Sequence, residues 1–473
     1  MVKDIVRQLD PIFKPKTVAV IGSSNNPFKW GHQILSRIAN LGYRGTIYPV
    51  NPHEKEILGL RTYPSILDIP DEIDLAIFAV PAAGVPTTMA QCVEKGIKGA
   101  VMISGGFAEV GQPGKDLQDE MVRIARTGGI RLVGPNGMGI WSSAVRLVAC
   151  MFEEAPRPGP IAFVSQSGTF GSYLGRLALA KGYGLSKFIS AGNQADLTHA
   201  DYLEYLGEDP DTGAIVFYME GLSSGEGRRF FEIALQVIKK KPILLYKAGR
   251  SKAAERATMS HTASLAGSDD VFDAMCHQVG IIRTNETVHL FDMAIALCRL
   301  PSPKGNRIAI LGTGGQGVVT TDSCALLGLE IPELDRETQE SLKKMLPPQA
   351  PLPTNPVDFA GQLDRSPLQE AKVAEKLASL DYIDGVVMNE PSNIPRSGID
   401  ISWARNAIDG AELIASIPGK YGKPVVAMTT QMGGGIIRSI LEKSGIPVYS
   451  TPEESARAMY ALVKYAQTRQ EFA

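Results

Sequence analysis

A single imidazole stands in the stretch ATMSHTASLAGSDDVFDAM, Ala257 to Met275, where Ser260, Thr262, Ala263 and Ser264 surround His261 ahead of a helical pattern. Neutral histidine is a competent nucleophile near neutral pH and can carry a covalent group between two half-reactions. A phosphoryl group suits this setting, because hydroxyls and backbone N–H groups at a helix start bind anionic oxygens. Small neighbours also let the segment approach other surfaces closely. The same residue types describe a satisfied structural histidine equally well, so the reading needs companions.

Two companions are present. In AIVFYMEGLSSG a strand pattern ends at Glu220, a carboxylate able to orient the second ring nitrogen, although a solvated turn residue would look the same. In SQSGTFGSYLGRLALAKG a strand passes through Ser165, Gln166, Ser167, Gly168 and Thr169 into an amphipathic helix. That is a second helix start with hydroxyls, fit for phosphate, though serine and threonine also cap helices that hold no ligand. A metal site is not expected, since no second histidine lies at ligand spacing.

The N-terminal turn, VIGSSNNPFKWG, offers a nucleotide site of another kind. Gly22 allows a tight turn, and the hydroxyls of Ser23 and Ser24 can donate to phosphate. The dinucleotide fingerprint GxGxxG is absent, and the next strand ends in VNPHEK without a ribose-binding acid, so a dehydrogenase is disfavoured. Lys29, His32, Arg44, Lys55 and Arg61 follow, a basic set that suits coenzyme A with its diphosphate and separate ribose phosphate. The strand ends AVPAAG, ISGGFAEVG and VGPNGMG bring Val80, Pro81, Ser104, Gly105 and Asn136 to the same edge.

The elements that must position these groups form three α/β series. TVAVIG, GTIYPVNP, LAIFAVP, GAVMISGG and IRLVGPNG make the first; IAFVSQSG, SKFISAGN, AIVFYMEG and PILLYKAG the second; RIAILGTGG, DGVVMNEPS, PVVAMTTQMGG and IPVYSTPEE the third. Strands apolar on both faces and alternating with helices predict doubly wound, mostly parallel sheets. Breaks at EEAPRPGP (Glu153 to Pro160) and LPSPKGN (Leu300 to Asn306) divide the chain into expected domains 1–152, 158–300 and 305–473. The glycines of GTGGQG lack the Lys-Ser/Thr of a P-loop, and a close helix–strand turn explains them better. Thr451, Pro452 and Glu454 predict a capped helix start near the C-terminus.

A net charge of -2 argues against a general nucleic-acid or membrane-surface protein. The N-terminus lacks the apolar core of a signal peptide, and no apolar run reaches the ~20 residues of a spanning helix. The five irregularly spaced cysteines suggest neither a zinc site nor a disulfide framework, so a cytoplasmic location is expected.

Taken in order, the nucleotide turn, SQSG helix, SAGNQADLTHADYL loop, YMEG and SHTASLAG resemble the α subunit of the ADP-forming acyl-CoA synthetases, relatives of the succinyl-CoA synthetase α subunit. The likeness runs over essentially the whole chain, including a third region of the GTGGQG…NPVDFAG…PEESARAM type that the succinyl-CoA synthetase α subunit lacks. It implies three Rossmann-like or flavodoxin-like units: a CoA-binding domain, a succinyl-CoA synthetase-like domain and a further C-terminal flavodoxin-like one. It implies the reaction acyl-CoA + ADP + phosphate ⇌ carboxylic acid + CoA + ATP, with acetate or another short acid as the default. Phosphate first displaces CoA to give an acyl phosphate, His261 takes the phosphoryl group, and Glu220 holds the phosphohistidine. Ser165 and Ser167 then lie at the phosphate-binding helix, and Gly22, Ser23, Lys55, Val80, Ser104 and Asn136 fall on the CoA-binding pattern. No ATP-grasp segment follows, so ATP or ADP and magnesium are expected on a separate ATP-grasp β subunit, in an α2β2 assembly. A CoA-binding regulatory or scaffold protein without turnover is the alternative.

Overall fold

Val18, Ala19, Val20 and Ile21 follow one another with no polar residue between them, and all four are buried. A strand can bury every residue only inside a sheet covered on both faces, and parallel sheets are built that way. A computed structural model describes residues 3–223, 225–254, 268–360, 366–389, 401–429 and 436–472. The chain divides into two compact units, Met1–Leu290 and Phe291–Ala473.

The first unit holds two large sheets. In the first, β1 (Thr17–Ile21), β2 (Thr46–Val50), β3 (Leu75–Phe78), β4 (Gly99–Met102) and β5 (Arg131–Val133) run parallel in the order β2-β1-β3-β4-β5. The order reverses beside β1, so the crevice beyond the carboxyl ends of β1 and β3 is where this topology places a ligand. The second sheet comprises β6 (Gly139–Ser142), β7 (Leu147–Cys150), β8 (Pro158–Ser165), β9 (Leu185–Ser190), β10 (Ala214–Met219), β11 (Ile243–Lys247) and β12 (Ile282–Arg283), ordered β12-β11-β10-β8-β9-β6-β7. Its members are parallel except β6 and β7, a hairpin whose first strand runs antiparallel to β9. The Pro/Gly-rich break is shorter than its composition suggests, because Pro158, Gly159 and Pro160 already belong to β8.

Asp196 ties these two sheets together. Its buried carboxylate accepts from Arg126 Nε at 3.0 Å, Arg131 Nε at 2.9 Å and the Leu132 backbone N–H at 3.0 Å. The stretch after β9 therefore runs beside β5, with Asn193 N–H donating to Pro135 O and Ala195 N–H to Gly134 O.

The second unit contains one parallel sheet of β13 (Ile308–Gly312), β14 (Val357–Asp358), β15 (Gly385–Asn389), β16 (Val425–Met428) and β17 (Val448–Tyr449), ordered β14-β13-β15-β16-β17. The GTGGQG turn after β13 is a close packing device: a Cβ on Gly312 would lie 2.9 Å from Asn389 Nδ2. The final helix, Pro452–Glu471, is capped by Thr451, whose hydroxyl accepts from Glu454 N–H at 3.2 Å. Glu454 differs from a reciprocal capping box, since its carboxylate accepts from Ser450 N–H rather than from the cap residue. Among the described residues no helix is long and apolar enough to cross a membrane.

Candidate functional site

The turn after β1 can tighten because Gly22 has φ +87°, and a Cβ there would lie 2.5 Å from Ala79 O. The helix α1 (Trp30–Asn40) consequently starts against that turn, so close that a Cβ on Gly31 would meet Gly22 O at 1.9 Å. Around it opens a cavity of about 580 Å³, whose walls include Gly22, Ser23, Ser24, Lys29, Val80, Pro81, Ser104 and Gly105. All eight were expected from sequence. Lys55 does not reach this wall: its side chain is exposed. Asn136 instead lines a second cavity. Sequence reading missed Phe28, Trp30 and Asn51 on the first wall. The aromatic–Lys–aromatic run Phe28-Lys29-Trp30 was the available signal.

The serines act differently from a simple hydroxyl-donor set. Ser23 donates to Val20 O at 2.7 Å, and Ser104 donates to Val80 O. Their protons brace the turns from inside, while Asn51 Nδ2 holds the same loop through Ser23 O at 2.6 Å. With these two hydroxyl protons committed to carbonyls, Lys29 is the cationic side chain on this wall.

Gly22→Ala is the sharpest test of this cavity. The added methyl meets backbone, which cannot step aside, and φ is unfavourable for alanine, a strain of about 1–3 kcal/mol. We expect the Kd for coenzyme A to rise about tenfold or more in a variant that still folds by circular dichroism. An unchanged Kd would show that this crevice does not hold coenzyme A.

The second cavity, about 260 Å³, has walls that include Asn136, Met138, Gln166, Ser167, Gly168, Thr169, Asn193 and Glu220. Its floor is the start of α2 (Gly168–Ala180), capped by Ser167, whose hydroxyl accepts from Phe170 N–H. Ser165 departs from expectation as Ser23 does: it is fully buried and donates to Ser167 O at 2.7 Å, so it shapes the turn. Gln166 is the linchpin. Its Oε1 accepts from the backbone N–H groups of Glu220 at 2.9 Å and Gly221 at 3.2 Å, while the backbone N–H of Gln166 donates to Tyr218 O. With the carbonyl end engaged, the amide nitrogen is the group Gln166 offers the cavity. These bonds fix Glu220, 7% exposed at the end of β10, opposite the α2 N-terminus.

The opposite wall comes from the first sheet. Asn136 sits at φ +57° and donates its backbone N–H to Ser104 O at 2.9 Å. Glu109 accepts from Gly106 N–H at 2.6 Å, Phe107 N–H at 3.2 Å and Asn193 Nδ2 at 2.6 Å. Burial pushes the Glu109 carboxyl up, but these hydrogen bonds outweigh it and hold the group below its ordinary value. It is therefore a charged strut between the glycine loop after β4 and the loop after β9.

His261 lies in residues 255–267, outside the described residues. The chain on either side of that stretch is joined at Asp269, the first residue of α3 (Asp269–Val279). Arg250 Nε at 3.3 Å, Lys247 Nζ at 4.0 Å and the Arg283 guanidinium all face this carboxylate. Among the described residues no group of three or more His, Cys, Asp or Glu side chains could hold a metal ion.

Residues 16–142 match the family described as "CoA binding domain", and residues 158–297 match "Succinyl-CoA ligase like flavodoxin domain". The chain is 39% identical to the α subunit of ADP-forming acetate–CoA ligase II of Pyrococcus furiosus, over 97% of this chain and 98% of that one. It is 36% identical to ADP-forming acetate–CoA ligase I of Archaeoglobus fulgidus, covering 97% of this chain but 64% of that longer one. Among solved structures it resembles the dinucleotide-forming acetyl-coenzyme A synthetase 1 of Ca. Korarchaeum cryptofilum in complex with phosphate and ADP. The TM-score is 0.86 at 34% identity, covering 98% of this chain and 97% of that one.

Proposed function

Because the chain belongs to the family of ADP-forming acetate–CoA ligases, we propose that its adjoining cavities receive an acyl-CoA and a phosphate, and that His261 carries the phosphoryl group away. CoA lies in the first cavity, with its thioester directed toward the second. A phosphate oxygen attacks the thioester carbonyl, the C–S bond breaks, and CoA leaves as the thiol with a proton taken from the phosphate. The acyl phosphate stays at the α2 N-terminus, where Ser167, Thr169, the Gln166 amide and backbone N–H groups stabilise its oxygens without a basic clamp. His261 attacks phosphorus, the P–O bond to the acyl group breaks, and the carboxylate departs. An oxygen of ADP then takes the phosphoryl group from the histidine to give ATP.

The observation that carries this reading is Gln166, which joins the phosphate-type helix start and Glu220 in a single hydrogen-bonded unit. Glu220 is the group we assign to hold the phosphohistidine. The names of the P. furiosus relatives support a partner subunit; we take it to be an ATP-grasp β subunit in an α2β2 assembly, carrying nucleotide and magnesium. Acetate or another short acid is the default substrate. A cytoplasmic location is supported by the free, mostly buried cysteines. The three regions 1–152, 158–300 and 305–473 would then serve as CoA-binding, ligase and accessory modules.

The test is coupled synthesis. The chain assembled with an ATP-grasp subunit is expected to form ATP from acyl-CoA, ADP and phosphate, and to form none when phosphate is omitted. Tight CoA binding with no ATP formed by any such assembly would instead favour a non-catalytic binding protein.

A further inference from the structure

The two cavities share part of their walls. Trp30, Ile103 and Gly105 line both, and of these only Trp30 and Ile103 have side chains. Trp30 is the first residue of α1, 45% exposed, and follows directly on Lys29. Ile103, 8% exposed, ends the strand-like run of β4, with its backbone N–H bound to Phe78 O. Met138 lines the second cavity beside the α2 start, since a Cβ on Gly168 would be 2.5 Å from Met138 Cγ.

A molecule with a nucleotide in the first cavity and a reacting carbonyl beside Thr169 and Glu220 must cross the strip between them. Indole and sec-butyl make that strip apolar and the second cavity adds the Met138 thioether, whereas Asn136, Gln166, Ser167 and Asn193 on the wall of that cavity are polar. The carbonyl and the entering phosphate belong with the polar groups. Among the described residues that line the second cavity, the apolar side chains Trp30, Ile103 and Met138 are what the carbon chain of the acid can lie against.

We propose that Trp30 is the specificity-determining residue that limits the size of the acid, its indole closing the apolar strip otherwise formed by Ile103 and Met138. This rests on the ligase reading above. The three side chains differ in how firmly they set a limit. Met138 is unbranched and adapts its shape to what it meets. Ile103 is small and fixed by its strand. Trp30 is rigid and bulky, and its place at a helix start leaves it outside the buried core. Replacing it therefore enlarges the strip without opening a hole in the packing of β1 or α1.

The experiment compares acids of different width in the full enzyme with its nucleotide-binding subunit. We measure kcat/KM for acetate and phenylacetate in the unsubstituted protein, Trp30→Phe and Trp30→Ala. A single methylene in an apolar pocket is discriminated by about 10- to 200-fold, so the phenylacetate-to-acetate ratio is expected to rise at least about tenfold in Trp30→Ala. Trp30→Phe should fall between. Because the readout is a ratio between acids sharing one CoA, a general weakening of CoA binding cancels. A ratio within about twofold of the unsubstituted enzyme, or one shifted toward acetate, overturns the proposal while leaving the ligase reading intact. Absence of turnover with every acid in the unsubstituted enzyme overturns the ligase reading, and this proposal with it.

Discussion

Glu220→Gln is expected to reduce kcat by about 10³-fold or more while leaving the KM for coenzyme A within about threefold. The substitution keeps side-chain shape and leaves the backbone N–H of residue 220 bound to Gln166 Oε1. What disappears is the negative charge that, in the proposed mechanism, orients the attacking imidazole and stabilises its cationic form. In triads built on the same logic, removing such a carboxylate charge costs about 10⁴. CoA affinity is insulated because Glu220 lines the second cavity and not the first. Gln166→Ala serves as the companion: it frees the Glu220–Gly221 turn and removes an amide donor, so it should lower kcat as well, through position rather than charge. Equal kcat for Glu220→Gln and the unsubstituted enzyme, measured by ATP formation, would exclude Glu220 from the transfer.

The second large effect concerns pH and stability. His199 begins the helix that follows the site-forming loop after β9, and it is 1% exposed. Neither ring nitrogen has a hydrogen-bond partner among the described residues, and the ring meets Phe217 edge-on at 5.8 Å. Burial alone lowers its pKa from 6.5 to about 3. Between those values the unfolded chain binds a proton that the folded chain refuses. Stability is therefore lost as pH falls from 6.5 toward 3, at up to about 1.4 kcal/mol per unit. His199→Leu, which preserves volume and removes the titration, should flatten this slope. Urea midpoints at pH 7 and pH 5 provide the check: an identical drop in both proteins would show that His199 is not responsible.

Much of the architecture could be read directly. Runs such as AIVFYM and GAVM, buried throughout, allow no other environment than a covered sheet. Glycine at position 22 and the SQSG turn likewise announce themselves, because their conformational demands are local. Less legible was what each polar group does once the chain has folded. Ser104 looks like an anion donor until the Val80 carbonyl, from another strand end, accepts its hydrogen bond. Glu109 stands in ISGGFAEVG, and the side chain that reaches it, Asn193, is distant along the chain. The hairpin Gly139–Cys150 follows the first sheet along the chain yet pairs with the second, a choice made by β9. In each case the deciding partner is remote, and spacing along one sequence carries no information about it. Trp30 is similar: its importance comes from standing between two cavities, which only the folded chain creates.

The proposed phosphoryl carrier is an imidazole of this chain, and direct observation of the modified residue tests that role. The chain with its ATP-grasp partner, magnesium and γ-labelled ATP should acquire a label that is lost in acid and survives base. Mass spectrometry should assign it to His261, and added ADP should discharge it as ATP. A label on another residue, or full turnover by His261→Ala, would exclude His261 as the carrier.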